Sequence, residues 1–342
     1  MGANSSELTT PQVLRLVGAG AGGAILMALG EGPLRTKELT EQVRGYTPRT
    51  IYRYSSKLVA AGILERHEEP GVPSKVTHSL SEPRGRELYE LVVAYAEASF
   101  TRLPDGRIDA HAWGSLAMLA DLWESGLVEV LNLGPKSPTE LAQLEHGLSY
   151  HQVNRRAGLF TIGGFLREGL GHGNRRVYTL TERARRGMAL IAGIGRWRRR
   201  HVVGEGRSGL TAREAGGLLR TALPLVALPE HAGKSLGMAI AASGGKEEGE
   251  AVWVRVEPEG SVLSYEGPLP DVDAAAHGEV ADFIDTILDG PGNGLRVDGD
   301  ERLLRACFGR LHSVLWKSWP DGSATPAEGM TGGDDSPELS YS

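Results

Sequence analysis

Cysteine is almost missing from this chain: Cys307 is the one cysteine in 342 residues. A lone thiol excludes an internal disulfide and any cysteine-built zinc cluster, and it suits a reducing cytoplasm. A basic, secretory-type leader is also missing. The longest apolar run, Leu16 to Leu29, is broken by glycines and is too short to span a bilayer, so no membrane segment is expected.

Catalytic chemistry has no visible home. His111, His146, His151, His172 and His201 have no metal-ligand spacing, and His67 and His78 sit in a predicted hairpin. No nucleophile with its base, and no acid paired with a base, can be assigned, so an enzyme, a metal and a cofactor are not expected. One motif argues otherwise. Val17-Gly18-Ala19-Gly20-Ala21-Gly22-Gly23 fits the dinucleotide fingerprint G-x-G-x-x-G, with Glu38 or Glu41 near the acid position. That fingerprint needs a strand and a parallel sheet around it, whereas Gly32-Pro33 and a helical pattern follow here. Close helix packing is the simpler reading of these glycines.

What the sequence does contain is a repeat. Gly32-Pro33, Leu39, Arg53 and Gly62 recur as Gly134-Pro135, Leu141, Arg155 and Gly164, each 102 positions on. In the first copy, Ile25, Leu26 and Leu29 mark an apolar helix face and Thr36 to Val43 a short helix. Thr47 caps a third helix with Pro48 in its first turn, and Ile51, Ser55 and Leu58 face inward. Gly62 ends it, and a hairpin runs from Ile63-Leu64 through a Pro70 to Pro73 tip to Lys75–Leu80. The second copy repeats this order. Leu127, Val128 and Leu131 form the first face, Thr139 to Leu144 the short helix, and Ser149 with Gln152 a capping box. Val153, Ala157 and Phe160 point in, and a hairpin turns at Gly171 to Asn174. Long helices follow each hairpin, over 86–102 and 183–200.

Glycines over 204–209 suggest a linker. Beyond it, a helix at 212–223, strands at 236–241, 251–256 and 262–265, and helices at 280–288 and 301–316 make an α+β unit. The expected domains are 10–103, 110–203 and 210–318, with a disordered tail over 320–342. The fold class is therefore mostly α with β-hairpin wings, plus a C-terminal α+β domain.

Charge is unevenly placed within a net of −6. Arginines crowd positions 155–200, whereas positions 247–301 are dense in Asp and Glu, and this separation predicts different partners for the two parts.

Both copies resemble the HxlR branch of the MarR-type winged-helix regulators. The likeness rests on Gly32-Pro33, the Thr47 to Ile51 spacing, Leu58-Val-Ala-Ala-Gly62-Ile-Leu64 and Val76-Thr-His-Ser-Leu80. In the second copy it rests on Gly134-Pro135, Leu141, Ser149, Val153, Gly164-Phe-Leu166 and Val177-Tyr-Thr-Leu180. Members of that family usually act as homodimers of single heads, and several sense oxidants through a cysteine near the first helix. Neither copy here holds a cysteine, so that trigger is not carried over. The region from Leu210 to Trp316 is similar to a sterol-carrier-protein type-two domain, through Val252-Trp-Val-Arg-Val256, Ala281-Asp-Phe283 and Leu295 to Asp300. That resemblance implies an apolar tunnel.

A winged helix lays its third helix in the major groove and its wing along the backbone. The candidate contacts to double-stranded DNA are Arg49, Thr50, Tyr52, Arg53 and Lys57 with wing residue Lys75. In the second copy they are His151, Gln152, Asn154, Arg155 and Arg156 with wing residues Arg175 and Arg176. Arginine pairs with guanine, and Asn or Gln with adenine. Trp113, Trp123 and Trp197, or Trp253 and Phe283, are candidate walls for an apolar or aromatic effector. The expected function is a cytoplasmic transcription regulator, acting as a monomer with two pseudo-symmetric heads or as a homodimer. The alternative is a carrier that sequesters an apolar natural product.

Overall fold

A computed structural model describes residues 8–71, 74–99, 110–144, 149–204, 208–242, 248–266, 271–291 and 294–317; the expected tail over 320–342 lies outside them. The first unit begins with α1 (Thr10–Gly18), α2 (Gly22–Gly30), β1 (Leu34–Arg35) and α3 (Thr36–Gln42). It continues with α4 (Pro48–Ala60), the hairpin β2 (Leu64–Glu69) and β3 (Lys75–Leu80), and α5 (Arg84–Ser99). The second unit has the same order: α6 (Ala110–Glu124), α7 (Leu127–Asn132), α8 (Pro138–Leu144), α9 (Tyr150–Ile162), β4 (Leu166–Leu170), β5 (Arg176–Leu180) and α10 (Glu182–Arg198).

The repeat extends to single hydrogen bonds. Ser81 Oγ donates to the Gly62 and Ile63 carbonyls at 2.7 and 3.0 Å, and Thr181 Oγ1 donates to those of Gly164 and Phe165 at 2.7 and 3.1 Å. Both tether the wing base to the end of the third helix. There Gly62 and Gly164 take φ of 67° and 73°, a left-handed turn that disfavours a side chain. The three-stranded order β1-β3-β2 of the first unit is reduced in the second to β4-β5 plus a single bridge, Lys136 to Tyr178, at the place of the Leu34–His78 pair.

Helices that correspond in the two units pack on each other: α1 lies against α6, and α5 against α10. An element meeting its own counterpart is what a two-fold interface produces, so the first two units pair about a pseudo-dyad inside one chain. The glycine run of α1 and α2 makes this approach close. A Cβ on Gly18 would stand 2.5 Å from the Ala117 nitrogen, and one on Gly23 would stand 2.3 Å from the Trp113 ring. A helix, not a strand, precedes these glycines, so the nucleotide fingerprint lacks its setting. Arg15 closes the edge, donating to Asp121 and Glu124 at 2.6 and 2.5 Å. Helices α1 and α2 are bent by 77° to each other, and no single helix among the described residues is long and apolar enough to cross a membrane.

The third unit comprises α11 (Ala212–Ala222), β6 (Ser235–Ala241), β7 (Glu250–Val256), β8 (Val262–Glu266), β9 (Ala274–Glu279), α12 (Val280–Asp289), β10 (Arg296–Gly299) and α13 (Glu301–His312). Its sheet runs β10-β9-β6-β7-β8, with β6 and β9 parallel and the other pairs antiparallel. Val252, Val254 and Val256 are buried on the helix-covered face, and Trp253 lies on the other. Strands β9 and β10 add to the three strands expected of this unit. Ala-Ala-Ala-His-Gly-Glu and Arg-Val-Asp-Gly carry weak strand signals, and pairing onto β6 decides their conformation.

Part of the basic middle pairs with the acidic end instead of facing a separate partner: two arginines at the end of α10 meet acids of α12. Arg196 donates to both carboxylate oxygens of Asp289 at 2.7 and 2.8 Å, and Arg199 to both of Asp285 at 2.8 Å. Arg185 donates to the Thr221 carbonyl at 2.9 Å, and Arg198 to the Leu8 carbonyl and to that of Gly209. Helix α10 is buried continuously from Gly187 to Gly195 among the three units, and Arg185, Arg196, Arg198 and Arg199, part-buried on either side of that run, take acceptors within the protein.

Cys307 lies in the core of α13 with Leu303, Leu304 and Leu311, and burial pushes its thiol up to about 12. A thiol reagent is expected to leave the folded chain unlabelled at pH 8 and to react only on denaturation; rapid native labelling would contradict this burial.

Candidate nucleic-acid interface

Helix α4 is set by its cap. The Thr47 hydroxyl accepts from the Thr50 amide at 3.3 Å, with Pro48 in the first turn, a type of cap worth about 1 kcal/mol. Ile51, Ser55 and Leu58 are buried, and the opposite face carries Arg49, Tyr52, Arg53 and Lys57 in solvent, with Tyr52 66% exposed. Thr50 turns back to the cap, its hydroxyl 3.0 Å from that of Thr47. Tyr54, absent from the predicted contacts, organises this face. Its ring lies against Gly20, where a Cβ would approach to 2.7 Å, and holds the Arg53 guanidinium and Lys57 ammonium at 5.3 and 5.2 Å from its centre. Two cations are thus held close together without an ion-pair partner among the described residues.

Helix α9 follows the same plan. Ser149 and Gln152 cap each other, the Ser149 amide donating to Gln152 Oε1 at 2.8 Å. That bond turns the Gln152 amide back to the cap and takes one of the two lone pairs of Oε1, the atom two-point pairing with adenine also uses. Asn154 is half-buried, its Oδ1 accepting from the Tyr178 hydroxyl at 3.5 Å. His151, Arg155 and Arg156 remain exposed, and neither arginine has an ion-pair partner among the described residues. Capping and packing signals in the sequence separate Gln152 from these residues. Nothing local predicted that Asn154 would meet Tyr178.

The wings differ. In the first, Arg66 pairs with Glu68 at 3.0 Å and Glu65 with His67 at 3.2 Å, while Glu69 and Lys75 are exposed. In the second, Arg176 pairs with Glu168 at 2.8 Å and lies 5.4 Å from the Tyr178 ring centre, and Arg175 is exposed. At one shared register position, His78 and Tyr178 are both buried. Desolvation, then Arg66, lowers the His78 pKa, whereas desolvation foremost raises that of Tyr178, so both stay uncharged near neutrality.

The candidate effector residues do not converge. Trp113 and Trp197 are 3% and 2% exposed, and Trp197 Nε1 donates to the Arg84 carbonyl at 2.7 Å. Trp123 is half-buried beside α11 near Gly217. Phe283 is fully buried, its ring 6.2 Å from that of Phe308, while Trp253 stacks on Tyr265 at 4.2 Å across the other sheet face. A cleft of about 340 Å³ opens elsewhere, at the base of the first wing between Leu29, Pro33, Glu65, Glu82 and Arg86. Among the described residues, no three His, Cys, Asp or Glu side chains are grouped to hold a metal.

The model of the HxlR-like helix-turn-helix family matches residues 16–101. The Escherichia coli K12 protein YtfH, described as an uncharacterized HTH-type transcriptional regulator, is 33% identical over 101 residues, covering 30% of this chain and 79% of YtfH. The chain belongs to the HxlR-like helix-turn-helix family. A second relative, BH0655 of Halalkalibacterium halodurans, described as an uncharacterized HTH-type transcriptional regulator, is 37% identical over 73 residues, covering 21% of this chain and 65% of that protein. Among solved structures, YtfH of Salmonella typhimurium is 26% identical over 36% of this chain and 87% of its own, with a TM-score of 0.22. Diamide-treated YodB of B. subtilis is 29% identical over 24% and 84%, also at 0.22. The HxlR-like match places α4 and the first wing inside the family's helix-turn-helix, which supports a DNA-binding regulator of transcription for this part of the chain.

Proposed function

We propose that the chain is a sequence-specific duplex-binding regulator with two winged-helix heads in one polypeptide, over 10–103 and 110–203, and a sterol-carrier-like unit over 210–318. The observation that carries this reading is the exposed face of α4, where Tyr54 fixes Arg53 and Lys57 beside Arg49 and Tyr52. Guanidinium groups aimed from a capped third helix suit guanine in the major groove. Helix α9 would serve the second head through His151, Arg155 and Arg156. The contacts of α1 with α6 and α5 with α10 support a monomer as the working unit, because the surfaces that would pair two single heads already meet within the chain.

The same reading places the protein in the cytoplasm and gives the third unit a regulatory part. An apolar or aromatic effector bound there would act through α12, whose Asp285 and Asp289 hold the arginines of α10, the helix that packs on the first head. It would alter the spacing of the heads, which must reach half-sites about 34 Å apart, one helical turn. The test is equilibrium binding to a duplex enriched from a random pool. Arg53→Ala is expected to weaken binding by roughly 1–3 kcal/mol. Equal affinity of the variant and the parent chain would contradict the assignment of α4.

A further inference from the structure

We infer that the duplex this chain reads is non-palindromic, with a different sequence and a different style of contact under each head. The inference rests on the duplex-binding reading above. A homodimer of single heads presents the same helix twice and so demands a site with dyad symmetry. Here the dyad is kept in the scaffold, where α1 meets α6, α5 meets α10, and Ser81 and Thr181 make matching bonds, but it is lost on the exposed faces.

Position by position, α4 offers Arg49, Tyr52, Arg53 and Lys57 where α9 offers His151, Asn154, Arg155 and Leu159. Only the Arg53 and Arg155 pair is shared, so one base contact to guanine is common to both half-sites. Arg49 and Tyr52 have no chemical equivalent in the second head, where Asn154 is half-buried and bonded to Tyr178. Leu159 is 46% exposed where the first head places a cation over Tyr54.

The wings diverge in sign. Wing β2–β3 carries Glu65, Glu68 and Glu69 against Arg66 and Lys75, whereas wing β4–β5 carries Arg167, Arg175 and Arg176 against Glu168 alone. Phosphate attracts the second wing and repels the first. The first head therefore reads its half-site mainly through its helix, and the second through helix and backbone-following wing together.

The test uses the full chain to enrich duplexes from a random pool, then maps each wing on the enriched site. Ser74→Cys and His172→Cys each place an exposed thiol on one wing, and buried Cys307 stays unlabelled, so a DNA-cleaving reagent can be attached to one wing at a time. The inference predicts a consensus without dyad symmetry, with the two reagents cutting at opposite ends. Arg175→Ala should lower the slope of log affinity against log salt by about one. A palindromic consensus, or either reagent cutting both ends equally, overturns this inference while leaving duplex binding intact. A pool that never enriches overturns the duplex-binding reading and this inference with it.

Discussion

Replacing Arg220 by alanine should destabilise the third unit by roughly 3–5 kcal/mol, the range for removing one member of a buried ion pair. Arg220 is 3% exposed on α11, and its guanidinium donates to Glu250 Oε1 on β7 at 2.8 Å, with the two side chains 4% and 21% exposed. The alanine leaves the Glu250 carboxylate in a partly desolvated place without its cation, and that penalty, more than the lost attraction, sets the size of the effect. Because Glu250 retains some water contact, the lower end of the range is expected. Chemical denaturation of Arg220→Ala, Glu250→Gln and the double variant distinguishes the causes. The double variant should cost less than the two single changes added together. A loss below about 1 kcal/mol for Arg220→Ala would mean the pair behaves like an exposed one.

A loss of similar size is expected where α1 meets α6. Gly18→Leu inserts a side chain whose Cβ alone would stand 2.5 Å from the Ala117 nitrogen and 2.7 Å from the Trp113 carbonyl oxygen. These are backbone atoms of α6 and cannot rotate aside, so α1 must lift away from α6. Overpacking of this kind costs about 3 kcal/mol, and more when the backbone has to move. The matched control is Gly114→Ala on α6, where an added Cβ meets nothing within 4 Å. That change should be neutral or stabilising by up to about 1 kcal/mol, since alanine favours helix over glycine. Thermal unfolding of both variants checks the claim, and equal midpoints would refute the close approach of α1 and α6.

Features written in local sequence were the legible ones. Thr47 with Pro48, and Ser149 with Gln152, announced the starts of α4 and α9, and Gly62 and Gly164 announced their ends. The 102-residue register carried the common element order of the first two units, because inward positions such as Ile51 and Val153 repeat with it. Two kinds of feature were not legible. Strands β9 and β10 owe their conformation to pairing partners far along the chain, and Ala274 to Ala276 by themselves favour no strand. The pairing of the α10 arginines with the acidic end is hidden because sequence records charge but not the neighbours it meets. Asp285 and Asp289 lie on another unit, some ninety positions away.

The candidate site divides in the same way. Exposure of Arg49, Tyr52, Arg53, Arg155 and Arg156 follows from helical spacing against buried Ile51, Leu58 and Val153. Thr50 and Gln152 stand three residues after Thr47 and Ser149, the position that turns a side chain back to the helix cap. The bonding of Asn154 to Tyr178 depends on the hairpin folding back over α9, which spacing does not encode.

Under the proposed function, one chain brings two heads to one duplex. Its most direct test is a titration of the full chain into an enriched duplex at several salt concentrations, read for stoichiometry and for the separate effects of Arg53→Ala and Arg155→Ala. One chain per duplex is expected, with affinity falling steeply with salt and a loss of roughly 1–3 kcal/mol for each variant. Two chains per duplex, or affinity indifferent to salt and to both substitutions, would contradict it.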